Sequence, residues 1–278
     1  MAPVNTIAAP NGWPEVLARV AVRLYWAGAR VFSIVLLLAL WQLLARSGTF
    51  TPFQLPAFTD VVARIWNDAV AGDLWLNTAL TLYRALTAFC ICAVGGVLIG
   101  MAMSRSLIAN WFFDPIVSVG FPMPKIAFLP VVILWLGVFD LSKIAIIVID
   151  AIFPVIAATV IAIQGVEKEL IWSARNMGAN DREVLTQIVL PAASPQIMTG
   201  LQVSLPLSLI VAVVAEMLMG GYGLGGAMMT ASRFANSTSV FAGIVEIAVV
   251  GYALVKAMAL VRRRLLIWHQ EAGAPSTV

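Results

Sequence analysis

An all-α, polytopic membrane protein with about six transmembrane helices is the fold class that the sequence predicts, and three observations carry it. Of 278 residues, 61% are hydrophobic and 11% charged, with a mean hydropathy of +0.95, whereas a soluble domain carries about 25% charged residues. Apolar runs of roughly 20 residues, the length that crosses a bilayer, recur along the chain. The basic residues divide unevenly between alternate loops. No large soluble domain fits in what remains, and neither the charge pattern nor any motif points to nucleic acid.

The opening "MAPVNTIAAPNGWPEVLARV" lacks a basic stretch ahead of a short apolar core, so it does not read as a cleaved signal. Residues 1–30 form a tail whose second half is amphipathic. Glu15 and the three arginines Arg19, Arg23 and Arg30 share a stripe. The arginines fall within about 40° of one another at helical spacing, which suits a helix lying on an anionic leaflet. The transmembrane region is expected over 31–264, with a loop at about 165–195 and a tail over 265–278 that holds His269, the single histidine.

The first span covers 31–46. "SGTFTPFQLPAFTDVVARIWNDAVAGDLW" follows, too polar to cross, and reads as an interfacial helix. Spans two to six are expected near 84–103, 111–137, 143–164, 196–219 and 240–261. In the second, Gly96 and Gly100 allow close backbone approach, and Cys90 and Cys92 read as small membrane-facing side chains. The third carries Pro115, Pro122, Pro124 and Pro130. Proline removes a backbone donor, so this span is expected to be kinked or broken. Lys125, next to Pro124, either offers positive charge to a passing anion or snorkels to the interface.

Asp150, Glu216 and Glu246 also fall within spans. An isolated buried carboxylate costs several kcal/mol, so each must find a partner, a wet cavity or an interface. For Glu216 a structural or gating hydrogen bond is favoured over substrate contact. Trp26, Trp41, Trp111 and Trp135 sit near span ends as interfacial anchors. "GYGLGG", Gly221 to Gly226, satisfies G-x-G-x-x-G, but it follows an apolar span rather than a strand. It reads as a flexible, close-packed turn.

With the N-terminus in the cytoplasm, ten Lys and Arg residues fall inside and five outside, the latter including Arg84 and Lys143. Both termini and the loop at 165–195 are then cytoplasmic. That loop contains "WSARNMGANDREVLTQIVLPAASP". Gly178 can end one short helix in the left-handed conformation. Asn180, with Glu183 three residues on, can cap the next. Val184, Leu185, Ile188 and Val189 form an apolar ridge, and Pro191 and Pro195 limit its continuation. The result is a rigid protrusion with a polar tip, suited to docking or serving as a capped re-entry loop.

The hairpin resembles the signature loop of ABC importer permeases, E-A-A-x-x-x-G, nine residues, then I-x-L-P. Ala174 holds the last position of the triplet, Gly178 follows at the family spacing, and Ile188, Leu190 and Pro191 complete it. Trp172 and Ser173 replace the glutamate and first alanine, which puts the glutamate's salt bridge in doubt. The resemblance covers about 30–265 and is closest to the nitrate/sulfonate/taurine branch. It extends through "LPAFTDVVARIW", "FLPVVILWLGVFDLSKIAIIV" and "VVAEMLMGGYGLG". It implies a type I ABC importer-like permease in the bacterial inner membrane, working as a pair of copies and served by an extracytoplasmic solute-binding protein. The loop would be a coupling helix against cytoplasmic ATPase subunits, where ATP and Mg belong. Trp172, Ser173, Ala174, Arg175, Gly178, Ala179, Asn180, Asp181 and Arg182 would form that contact, and Pro124, Lys125, Asp150 and Glu216 would serve the pathway or its gating.

The sequence contains no Gly-x-x-x-x-Gly-Lys-Ser/Thr segment, no metal-ligand cluster and no nucleophile–base set. A non-catalytic subunit is therefore expected. The competing class is a proton-coupled carrier using Asp150, Glu216 and Glu246.

Overall fold

A computed structural model describes residues 32–266. The amphipathic arginine stripe of residues 15–30 and His269 lie outside them. The described residues belong to two compact units divided between Ala63 and Arg64.

In the first unit, α1 (Phe32–Arg46) is apolar. The indole of Trp41 donates to the Pro56 carbonyl at 3.0 Å and its ring packs on Phe58 at 5.5 Å. Trp41 thus fixes the chain that leads into α2 (Phe58–Ala71), the amphipathic helix expected here.

In the second unit the chain continues through α3 (Asp73–Arg105), α4 (Leu107–Gly120), a 3-10 turn (Lys125–Phe128), α5 (Leu129–Leu136) and α6 (Asp140–Gln164). The hairpin helices α7 (Lys168–Asn176) and α8 (Asp181–Glu183) follow. A π-helical segment (Val184–Val189) joins α8 to α9 (Leu190–Met219), and α10 (Leu224–Arg233) and α11 (Ser237–Leu265) complete the unit. Among the described residues, four helices are long and apolar enough to cross a membrane, or five if α4 and α5, bent by 97° from one another, count as one broken span. The bend falls at Pro122 and Pro124, as missing donors require.

Two boundaries differ from the sequence expectation. The helix that holds the second span, α3, begins at Asp73, ahead of the span expected from 84, and Asn77, Thr81 and Arg84 in its early turns find partners inside the protein. The fifth helical run is continuous from Asp181 to Met219, so Pro191 and Pro195 do not stop it. Pro191 sits in the first turn of α9, and the preceding π turn shifts the pairing so that Leu190 N–H donates to the Leu185 carbonyl. That local i→i+5 register absorbs the missing proline donor.

α6 lies against both α3 and α9, and glycine makes the approach possible. A Cβ on Gly96 would lie 2.8 Å from the Val155 side chain; one on Gly100 would lie 2.6 Å from Thr159 Cβ and 3.1 Å from the Ile156 carbonyl. On the other face, a Cβ on Gly200 would overlap Ala158. The G-x-x-x-G step thus serves packing within the bundle. Cys92, expected to face lipid, is instead buried against α6, with Sγ 3.6 Å from the Val148 carbonyl; Cys90 is exposed. Gly100→Ala is expected to destabilise the protein by about 1–3 kcal/mol through overpacking. Thr159→Gly on the facing helix should return part of that loss, read as coupling in a double-mutant cycle of thermal unfolding.

Candidate functional site

At one end of the bundle stands the hairpin. α7 closes with Gly178 at φ +90°. Gly178 N–H donates to the Arg175 carbonyl and Ala179 N–H to the Ala174 carbonyl, each at 3.0 Å. This is the Schellman arrangement that a left-handed residue permits. Asn180 then caps α8: its Oδ1 accepts from the N–H groups of Arg182 and Glu183, and the Glu183 carboxylate accepts from Asn180 N–H at 2.8 Å. Arg175 and Asp181 bridge across the turn at 3.1 Å. Beneath, Ala174, Val184 and Val189 join Ala162, Ala193 and Ile197 in one apolar cluster. The knuckle is pinned from below and presents Trp172, Ser173, Arg175, Gly178, Asn180, Asp181 and Arg182 outward. Of the expected contact residues, only Ala174 is buried, and Ala179 is half-buried.

Within the span region, Lys125 begins the 3-10 turn that Pro124 introduces. Its Nζ donates to the Phe121 carbonyl at 2.9 Å and lies 3.3 Å from Asp150 Oδ1, with the Phe153 ring centroid at 4.9 Å. Asp150 is the eleventh of 25 residues in α6, so the pair sits near the middle of that helix. A carboxylate, a backbone carbonyl and an aromatic face hold this lysine.

At the end opposite the hairpin lies a second polar network. Asn77, Thr81 and Arg84 occupy one stripe of α3, and Asp140 and Lys143 begin α6. Arg84 Nη1 donates to Glu216 Oε1 at 2.5 Å and to the Tyr222 carbonyl at 2.7 Å. Its Nε donates to Asp140 at 2.8 Å. The Thr81 hydroxyl lies 2.9 Å from Glu216 Oε2 and accepts from Leu224 N–H at 2.9 Å. Gly225 N–H donates to Glu216 at 3.1 Å, Gly223 N–H to Asn77 at 2.8 Å, and Lys143 to the Gly220 carbonyl at 2.9 Å. Glu216 is 0% and Arg84 4% exposed. Two cations and two carboxylates balance, so every buried charge is compensated.

The glycines of "GYGLGG" are part of this network. A Cβ on Gly223 would overlap the Glu216 carboxylate, and one on Gly225 would overlap the Val213 carbonyl. The turn is close-packed, and α10 rather than a strand–helix unit follows it. Glu216 does not join Lys125 and Asp150: ten residues of α6 separate Asp140 from Asp150, roughly 15 Å along the axis. Arg84 and Lys143, counted from the sequence only among the cations of the outer side, are buried here, and Thr81 and Asp140 were not among the residues singled out from the sequence. Polar residues recurring at i, i+4 and i+7 from Asn77 were the available signal. Glu246 stands apart in α11, and among the described residues no hydrogen-bonding partner meets its Oε1.

The bundle thus combines a helix pair bent at its prolines, buried charge pairs and a fixed knuckle at one end. The family model "Binding-protein-dependent transport system inner membrane component" matches residues 93–267, and the chain belongs to that family. It is 30% identical over 244 residues to the taurine transport system permease protein TauC of Escherichia coli, covering 86% of this chain and 89% of that one. It is 32% identical over 233 residues to a putative aliphatic sulfonates transport permease, SsuC of Bacillus subtilis, covering 84% of each. The MetNI methionine ABC transporter, inward-facing, shares the fold with a TM-score of 0.51 and 19% identity over 68% of this chain and 95% of that one. The family sets aside the proton-coupled carrier. The geometry agrees, since Glu216 and Asp150 are both engaged by cations. The chain is an inner-membrane, multi-pass permease subunit of an ABC importer, similar to permeases named for taurine and sulfonates.

Proposed function

We propose that this subunit forms, with a second copy of itself, the pathway for a small anionic or organic solute, sulfonates among them as the relatives' names suggest. Cytoplasmic ATPase subunits holding ATP and Mg drive it, and an extracytoplasmic binding protein delivers the solute. Both termini lie in the cytoplasm, residues 31–264 form the transmembrane unit, and residues 1–30 and 265–278 are tails. The ATPase seats on Trp172, Ser173, Ala174, Arg175, Gly178, Ala179, Asn180, Asp181 and Arg182. The observation that carries this reading is the knuckle itself, whose backbone is fixed by a Schellman turn and a capping box while its outer face is exposed. A lever must be stiff and accessible, and this one is both.

Reconstitution into vesicles tests it. The chain alone is expected to move no solute, and to support ATP-dependent uptake once the ATPase and binding protein are added. Uptake by the chain alone under a pH gradient would overturn the reading.

Pro124, Lys125 and Asp150 line or gate the pathway at the broken span, and Glu216 holds the far gate by structure rather than by touching solute. Lys125→Gln removes the cation that an anion would meet and leaves Asp150 uncompensated. Uptake is expected to fall at least about tenfold, one factor of 1.4 kcal/mol, with membrane insertion unchanged. Normal uptake in that variant would remove Lys125 from the pathway.

A further inference from the structure

Among the described residues, Lys125 is the one ion-pair partner of Asp150. Both keep accessible surface, 10% of the Lys125 side chain and 17% of the Asp150 side chain, so the pair opens onto the surface of the bundle. A carboxylate near the middle of a membrane span cannot face acyl chains. The backbone beside it points the same way. Residues 121–124 are not helical, and irregular backbone at that depth is tolerated only where protein covers it or water lines it.

The joint is also short of donors. Pro122 and Pro124 cannot donate to the Ser118 and Gly120 carbonyls four residues back. Lys125 Nζ serves the Phe121 carbonyl at 2.9 Å, and the Phe153 ring stands 4.9 Å from it. Phe153 lies three residues from Asp150 on α6, on the same face.

The pair is neutral, and that decides what can enter. A simple anion that takes Lys125 leaves Asp150 unpaired, and a simple cation that takes Asp150 leaves Lys125 unpaired. In either exchange a charge inside the bundle loses its counter-ion, which is strongly unfavourable. A molecule with both charges pairs both residues again. Its anionic group meets Lys125, while its ammonium meets Asp150, the Phe153 face and the carbonyls of the joint. Lys125 and Asp150 belong to separate elements, the 3-10 turn and α6, so they can part by movement of the proline joint.

We propose that Lys125 and Asp150 form a two-charge subsite that selects small zwitterions, an ammonium and an oxyanion a few bonds apart, over simple anions of the same size. Asp150 is the residue that sets this choice. The proposal rests on the reading that the broken span borders the pathway, and it narrows the class of solute.

The test uses the full-length chain in phosphatidylcholine nanodiscs at constant ionic strength, without a binding protein, so that the selectivity read is the permease's own. The probes are β-alanine, propionate, which lacks the ammonium, and ethylamine, which lacks the carboxylate. Binding to the folded state raises the unfolding temperature. β-Alanine is expected to raise it by a few degrees more than either single-charge probe. Asp150→Asn should reverse the order, with propionate then at least as effective as β-alanine. Lys125→Gln combined with Asp150→Asn keeps the charge balance and should remove the increments of all three probes; it carries the test if Asp150→Asn fails to fold. Equal responses to β-alanine and propionate in the unchanged protein, or a zwitterion preference that survives the double variant, overturns the proposal. Uptake in the Lys125→Gln variant reads the pathway separately. A zwitterion preference alongside normal uptake there upholds the subsite and takes it out of the pathway. Reduced uptake without that preference keeps the pair in the pathway and overturns the subsite.

Discussion

Arg84→Ala is expected to destabilise the folded chain by about 3–5 kcal/mol, the cost of leaving one member of a buried ion pair without the other. The magnitude follows from what remains. Asp140 is half exposed, with 49% of its side chain accessible, and can rehydrate. Glu216 is fully buried and keeps only the Thr81 hydroxyl and Gly225 N–H as donors. The Tyr222 carbonyl also loses its partner, so the glycine turn is released from α3 at the same time. Arg84→Lys keeps the charge but cannot span Asp140, Glu216 and Tyr222 together, and should fall between. Pairing Arg84→Met with Glu216→Leu removes both charges and is expected to recover most of the loss, because a buried pair contributes little against apolar residues of similar volume. Thermal unfolding of the four proteins of that cycle measures the coupling. Additive losses from the two single changes would show that the pair does not act as a unit.

The contrast between this network and the hairpin shows what a sequence can disclose. Every signal that shapes the knuckle lies within ten residues, from Ala174 to Glu183. A left-handed glycine and an Asn–Glu capping box have fixed spacing, so their geometry was legible, as was the broken span from its prolines. Arg84 meets Asp140 across 56 residues and Glu216 across 132. Nothing local marks that pairing. The same tertiary contacts hid the start of α3: Asn77, Thr81 and Arg84 look like loop polarity until α9 and the glycine turn supply their partners. Pro191 and Pro195 misled in the opposite sense, because a π turn shifted the pairing and allowed the helix to continue. Cys92 was placed toward lipid because an apolar span gives no sign of which face meets α6. The family resemblance identified the class, yet it gave no access to the side chains that meet inside the bundle.

Gly178→Val is expected to reduce ATP-dependent uptake by at least about tenfold while the chain inserts and folds normally. Gly178 sits at φ +90°, and a Cβ built there meets nothing within 4 Å. The substitution therefore creates no clash; its cost is the left-handed backbone, about 1–2 kcal/mol for an L-residue and worse for a β-branched one. That strain can be relieved locally by abandoning the two hydrogen bonds that Gly178 and Ala179 return to α7. The apolar cluster under Ala174, Val184 and Val189 remains, so the bundle keeps its stability while the knuckle loses its fixed angle. Gly178→Asn separates the causes. Asparagine tolerates the left-handed region yet fills the same space as valine, so retained uptake assigns the requirement to backbone geometry. Equal loss in both variants assigns it to a bare surface against which the ATPase packs. Undiminished uptake with valine would mean that the knuckle transmits nothing, and the hairpin would then be only a capped re-entry loop between two spans.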